Sequence, residues 1–99
     1  MSLPNIPTLV DITVSGGTGT ASMAASIGGM GQGVGVIAPN SAASYELAIT
    51  DADGFLVSGL PDNVGNTKIE EDSQFHGSHT VTITGTDGAY RVKIWFRDS

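Results

Sequence analysis

In this 99-residue chain, the residues with the side chains best suited to bind a transition metal are two histidines that follow a run of carboxylates. His76 and His79 come after Glu70-Glu71-Asp72, and imidazole and carboxylate groups are common transition-metal ligands. Two residues separate the histidines, which is not a familiar spacing for a zinc pair on a strand or a helix. We therefore expect these to be exposed loop histidines that bind no metal.

A second candidate metal site begins at Asp51-Ala52-Asp53-Gly54, which resembles the start of a calcium loop. An EF-hand loop needs oxygen ligands at set positions and a bidentate glutamate at position 12. Here position 12 is Asp62, but positions 5 and 7 are Phe55 and Val57, so the EF-hand interpretation fails. A plain turn is the commoner explanation. A looser calcium site remains an alternative, with the weak candidate ligands Asp51, Asp53 and Asp62.

Signs of catalysis are weak. The chain has no cysteine, which excludes a thiolate nucleophile, a disulfide and a zinc–thiolate site. It also lacks the Gly-x-Ser-x-Gly motif of a nucleophile elbow. The glycine-rich residues 28–35 do not end in Gly-Lys-Ser/Thr, and no helix is predicted after them, so they are not a phosphate loop. We expect a protein that is not an enzyme and needs no cofactor.

The charge of the chain is strongly uneven. Its formal net charge is −6, and residues 1–88 carry −8 while residues 89–99 carry +2. An acidic balance argues against nucleic acid as a partner, because phosphate binding needs a basic surface. No apolar run reaches the 18 residues of a membrane span, and the first residues lack the basic and apolar regions of a signal peptide. We expect neither a nucleic-acid nor a membrane partner.

The basic residues near the end of the chain alternate along one predicted strand. With period two, one face carries Arg91, Lys93, Trp95 and Arg97. Tryptophan among cations is typical of a protein–protein interface. These four are candidate interface residues. The alternative is that the second face is also covered and Trp95 belongs to the core, because period two does not say which face is buried.

The element around which these residues are arranged is a predicted hairpin at residues 44–59. Tyr45, Leu47 and Ile49 alternate with smaller or polar residues, an acidic Asp-Gly turn follows at residues 51–54, and a second apolar run begins at Phe55. Similar alternation predicts strands at residues 9–14, 20–27, 34–38, 80–84 and 89–97, and a polar edge strand at 68–73. The predicted buried core residues are Tyr45, Leu47, Ile49, Val81, Ile83, Val92 and Ile94.

Seven to eight short antiparallel strands, with turns every 8–12 residues, predict an all-β fold. We expect a small immunoglobulin-like β-sandwich or barrel at residues 8–99, with a bulge or corner at 28–33, a loop at 60–67 and a break at 76–77. Residues 1–7 contain Pro4 and Pro7 and are predicted to form an extended N-terminal arm. The arm is either frayed or ordered against a partner, and its candidate interface residues are Leu3 and Ile6.

Several stretches together resemble a family of small uncharacterised proteins encoded among tailed-bacteriophage structural genes. These stretches are residues 18–22 (TGTAS), 34–37 (VGVI), 45–54 (YELAITDADG) and 92–97 (VKIWFR). The same strand-and-turn pattern also occurs in many bacterial immunoglobulin-like modules. The family assigns no catalytic residues, so none are transferred to this chain.

The resemblance implies a non-enzymatic virion protein, first of all a capsid decoration or cement protein. Its partners would be the phage major capsid protein or other virion proteins, and the chain would form a homo-oligomer, a dimer or a trimer. Its location would be the virion, assembled in the host cytoplasm. The alternatives are a tail, neck or baseplate component, or an immunoglobulin-like module that binds carbohydrate or a host surface. Only six aromatic residues are present, which leaves few for a sugar-binding platform.

Overall fold

The computed structural model describes residues 8–96, except for the side chains of residues 24–32, 70–74, 76 and 96. The predicted arm with Leu3 and Ile6, and also Arg97, lie outside the described residues. The described chain contains no helix, and therefore none that is able to cross a membrane. Its strands are β1 (Thr8–Val14), β2 (Thr18–Ile37), β3 (Ser44–Asp51), β4 (Leu56–Val64), β5 (Thr67–Gly85) and β6 (Gly88–Phe96).

The strands form a small antiparallel β-sandwich, which confirms the all-β prediction. Hydrogen bonding is continuous in the order β1-β6-β2-β5-β3-β4. The two long strands β2 and β5 each contribute to both layers, so six continuous strands supply eight strand segments. The first sheet contains β1, β6, residues 29–37 of β2 and residues 67–75 of β5. The second contains residues 18–25 of β2, residues 77–85 of β5, β3 and β4.

The passage between the layers occurs at a glycine-rich segment. The pairing of β2 with β5 changes register between Ala25 and Gly29 and again between Gly31 and Gly33. Glycine tolerates such irregularities because it lacks a Cβ. The bulge or corner predicted at residues 28–33 is confirmed as an irregularity in register, and the separately predicted strands on either side of it belong to one long strand. The predicted break at 76–77 is a register change within β5, where Gly77 has a φ of 75°.

The core lies between the two sheets. All seven predicted core residues are buried, which confirms the faces assigned from the alternation. Tyr45 of the second sheet and Tyr90 of the first meet edge to face, with ring centroids 5.2 Å apart. The Tyr45 hydroxyl donates a 2.7 Å hydrogen bond to the carbonyl of Gly65, at the short connection between β4 and β5. Burial raises the pKa of both tyrosines above its ordinary value.

The predicted loop at residues 60–67 is wrong. Strand β4 continues to Val64, and only residues 65–66 separate it from β5. Pro61-Asp62 forms a bulge opposite β3, where the register changes and Asp62 takes a φ of 54°. β4 is the last strand in the order and is therefore an edge strand. An edge strand tolerates proline because the N–H groups on its outer side have no partner strand.

The predicted polar strand at 68–73 lies at the edge of the first sheet, although β5 then continues into the second.

Candidate interaction surface

The outer face of the first sheet brings together basic residues that are distant in sequence. Lys93 of β6 lies opposite Leu9 of β1 on one side and opposite Gly35 of β2 on the other. Gly35 in turn lies opposite Lys68 of β5. Four strands thus place Leu9, Lys93, Gly35 and Lys68 in one row across the sheet. We call the outward-facing residues Lys68, Arg91, Lys93 and Trp95, together with Gly35 between them, the basic face.

Trp95 lies on this outer face and is not part of the core between the sheets. Its ring covers Gly35, where an added Cβ would lie only 3.1 Å from Cζ3 of the indole. The Lys68 ammonium lies over the same ring, 4.7 Å from its centroid. The indole is therefore half-buried between glycine backbone and a lysine. It keeps part of its surface available to a partner while its position is fixed by packing.

A shallow depression lies beside the indole. Its volume is about 240 Å³. Lys68 and Lys93 both border this depression. The depression is lined by Gly35, Val36, Ile37, Asn66, Thr67, Lys68, Lys93 and Trp95. Such a surface offers apolar area with positive charge at its rim, which is the composition of a protein-binding surface.

One cation of the basic face is already paired. The Arg91 guanidinium donates from Nε to Oδ1 of Asp11 at 2.7 Å, across the β1–β6 pairing. This hydrogen bond lowers the pKa of Asp11 and raises that of Arg91. Among the residues whose side chains the structure describes, neither Lys68 nor Lys93 forms an ion pair. These two lysines are therefore the cations best placed to meet an acidic partner.

The described acidic residues mostly lie elsewhere on the molecule. Glu46 faces outward from the second sheet, Asp51 and Asp53 lie at the β3–β4 turn, and Asp87 lies at the β5–β6 turn. Asp87 accepts the backbone N–H of Gly16 and Gly17 and so joins two turns. All three cations with described side chains lie instead on the basic face.

The structure extends the predicted set of interface residues. Arg91, Lys93 and Trp95 share one face as predicted, with Arg91 exposed and the other two half-buried. Lys68 belongs to the same face, although the sequence pattern predicts only a polar edge strand at its position. Its position depends on the register of β5 against β2, which alternation within one strand does not contain.

The candidate calcium ligands form a hydrogen-bonded turn. One carboxylate oxygen of Asp51, Oδ1, accepts the N–H groups of both Asp53 and Phe55 at 2.9 Å. Gly54 has a φ of 87°, as expected for this turn. Asp62 lies in the β4 bulge rather than in the turn. Within the described residues, no group of three or more histidines and carboxylates is arranged to hold a metal ion.

The interpretation of His79 as an exposed loop histidine is wrong. His79 lies in β5 and is buried, with 3% of its surface exposed. Its Nδ1 lies 3.1 Å from the Gly77 carbonyl, and its ring meets Phe75 edge to face at 5.2 Å. The residue packs inward because it lies two residues before Val81 in β5 and shares its buried face. The side chains of His76, Glu70, Glu71 and Asp72 lie outside the described residues.

The fold and this surface define a small all-β sandwich domain with a tryptophan-centred basic face. Comparison with protein-family models finds no match, and comparison with curated protein sequences finds no significant relative.

Proposed function

We propose that this chain is a non-enzymatic structural protein of a bacteriophage virion, acting as a capsid decoration or cement protein through protein–protein contacts. The resemblance of its strand-and-turn motifs to small phage structural proteins supports the proposal. The observation that carries it is the basic face, where Trp95 is held by Gly35 and Lys68 on an otherwise acidic protein. A tail, neck or baseplate component would use the same surface.

The basic face has the parts that a docking surface needs. Half-buried Trp95 contributes contact area at the centre, and central tryptophans often dominate binding energy. Lys68 and Lys93 at the rim would pair with acidic groups of the major capsid protein, another virion protein or a sister subunit. Because such rim pairs are partly solvated, their main effects would be on association rate and on sensitivity to salt.

Attachment in many copies compensates for a small contact area in each copy. The predicted arm, residues 1–7, would extend across a neighbouring subunit with Leu3 and Ile6 as apolar contacts, and would add main-chain hydrogen bonds at a sheet edge. A dimer or trimer about a capsid symmetry axis would engage several sites at once, which multiplies weak affinities. The protein would assemble onto the virion in the host cytoplasm.

The experiment that tests this function is reconstitution on particles. Virions or procapsids of the phage that encodes the chain, assembled without it, are mixed with purified protein and sedimented. We expect saturable binding at a fixed number of copies per particle, and a corresponding feature in a density map of the particle. Heads and isolated tails are sedimented separately, which distinguishes a head protein from a tail, neck or baseplate protein. Absence of saturable binding to all these fractions contradicts the proposal.

A further inference from the structure

The turn between β3 and β4 exposes two large apolar side chains. Phe55 is 71% exposed and the adjacent Leu56 is 68% exposed. Both follow the acidic residues Asp51 and Asp53 in the same turn. We call Asp51, Asp53, Phe55 and Leu56 the hairpin tip. Single exposed apolar residues need no explanation, but two neighbouring ones on a turn form a contiguous apolar patch that a partner can cover.

The hairpin tip is held in one conformation by its own hydrogen bonds. The N–H of Asp51 donates to the Phe55 carbonyl at 2.9 Å, and the N–H of Gly54 donates to the Asp51 carbonyl at 3.0 Å. The Asp51 carboxylate accepts two more backbone N–H groups from within the turn. Phe55 and Leu56 are therefore presented on an ordered turn, which lowers the entropy cost of binding through them.

The hairpin tip and the basic face of the same chain are complementary in charge and in polarity. The tip combines two carboxylates with two apolar side chains, whereas the basic face combines Lys68 and Lys93 with an indole and the shallow depression beside it. The depression of about 240 Å³ beside that indole is large enough to admit a phenyl ring. Edge-to-face or offset contact between two aromatic rings adds to the apolar area buried.

We propose that the hairpin tip of one copy docks into the depression on the basic face of a second copy. This inference rests on the proposed function, in which the basic face is a docking surface, and it names a sister subunit as the partner of that face. The two surfaces lie on different parts of the chain, so the contact is heterologous, head to tail. Such contacts form a ring when the rotation closes, or a chain of subunits when it does not.

The contact is small and therefore weak in solution. Stable interfaces bury about 1,200–2,000 Å² in total, which is more than a turn and a shallow depression supply. An array of copies on a particle raises the effective concentration and makes a weak head-to-tail contact effective. Its measurement with purified protein requires concentrations up to about 1 mM, where an interaction with a Kd in that range is well populated.

The test uses two variants of the full chain that each lose one side of the contact. Phe55→Ser removes the ring of the hairpin tip, and Lys93→Glu reverses a charge at the depression. In sedimentation velocity, we expect the unmodified protein to show a sedimentation coefficient that rises with concentration, and each variant alone to remain monomeric. An equimolar mixture of the two variants should form dimers but nothing larger, because only one intact tip and one intact depression can meet.

Matched controls separate the contact from general effects. Val64→Ser removes an apolar side chain of 63% exposure at the opposite end of β4, and Thr84→Glu adds a carboxylate to the outer face of the second sheet. Both should self-associate like the unmodified protein. If Lys93→Glu lowers the melting temperature strongly, Lys68→Glu replaces it, since Lys68 is exposed. An unmodified protein that stays monomeric at 1 mM, or a variant mixture without dimers, overturns the inference.

Self-association and attachment to the particle are measured in separate experiments, so each proposal can be contradicted without the other. The sedimentation experiment contains no particles, so a monomeric protein that still binds particles in saturable fashion removes this inference and leaves the proposed function. A protein that self-associates head to tail but binds no particle fraction leaves the inference and removes the proposed function.

Discussion

The ammonium of Lys68 lies 4.7 Å from the centroid of the Trp95 ring, although the two residues belong to different strands that do not pair with each other. They meet because the strand between them carries Gly35, whose missing side chain lets the indole reach across. A cation over an indole at a partly exposed site contributes about 0.5–1 kcal/mol. The pair therefore fixes Trp95 at the centre of the basic face.

This arrangement predicts unequal effects of two alanine substitutions on attachment to the particle. Trp95→Ala removes a central, half-buried anchor and should weaken attachment by about 2 kcal/mol or more. Lys93→Ala removes a rim charge and should have a smaller effect that fades with added salt. The measurement is the concentration of each variant that half-saturates particles, made on variants whose melting curves show a folded domain.

Two results would contradict the assignment of the basic face as the docking surface. One is unfolding of the isolated domain by Trp95→Ala, which would give the indole a mainly structural role. The other is a folded Trp95→Ala variant that attaches as tightly as the unmodified protein. In either case the arm would remain as the candidate contact.

Deletion of residues 2–7 should leave the domain folded and weaken its attachment to the particle. Pro4 and Pro7 remove two backbone donors from the arm, so it is expected to make few contacts within the protomer. Thermal unfolding measures the first effect and particle sedimentation the second. A double substitution of Leu3 and Ile6 by serine is the matched control, since it keeps the length of the arm. A truncated domain that does not fold would place the arm in the core instead.

Leu47→Ala should destabilise the domain by about 2–5 kcal/mol. Leu47 is 3% exposed between the sheets, so truncation removes buried apolar area and leaves a cavity. Chemical denaturation measures the change in the free energy of unfolding. Glu46→Ala, at the exposed neighbouring position on the same strand, should change it by only about 0.5 kcal/mol. Equal effects at the two positions would contradict the burial pattern of β3.

The carboxylate of Asp51 should act as a backbone acceptor and not as a calcium ligand. Asp51→Ala leaves two N–H groups without their acceptor and should cost about 1–3 kcal/mol in the free energy of unfolding, at about 0.5–1.5 kcal/mol for each hydrogen bond. Asp51→Asn keeps an acceptor oxygen and should cost less. Addition of calcium should leave the melting temperature of the unmodified protein unchanged. A large rise at micromolar calcium would show a bound ion instead.

The ion pair between Asp11 and Arg91 should be visible in a pH titration. The hydrogen bond from Arg91 stabilises the ionised carboxylate, so the pKa of Asp11 in the folded protein is below its ordinary value. The contribution of this pair to stability is therefore present above the unfolded-state pKa and is lost as the pH falls through the folded-state pKa. NMR titration of the Asp11 carboxyl carbon should show a lowered midpoint, and Arg91→Gln should return it toward the ordinary value.

The sequence by itself determined which side chains face the core. Apolar residues recur with period two at Tyr45, Leu47 and Ile49, and burial of one face of a pleated strand leaves little freedom in how such a run folds. The acidic turn was also determined by neighbouring residues alone. The Asp51 carboxylate accepts a backbone N–H within the turn, and Gly54 tolerates a positive φ. These features need only neighbours a few residues away in the chain.

Tertiary structure decided which strands pair, and with that the composition of the basic face. Lys68 and Lys93 lie in one row only because both strands pair with β2 at Gly35, a register set by packing across the whole sandwich. The pairing of β4 with β3 turned the predicted loop at 60–67 into a bulged edge strand, and the pairing of β5 with β2 and β3 placed His79 in the interior. Alternation along a strand records which residues share a face, but carries no information about the partner strand or its register.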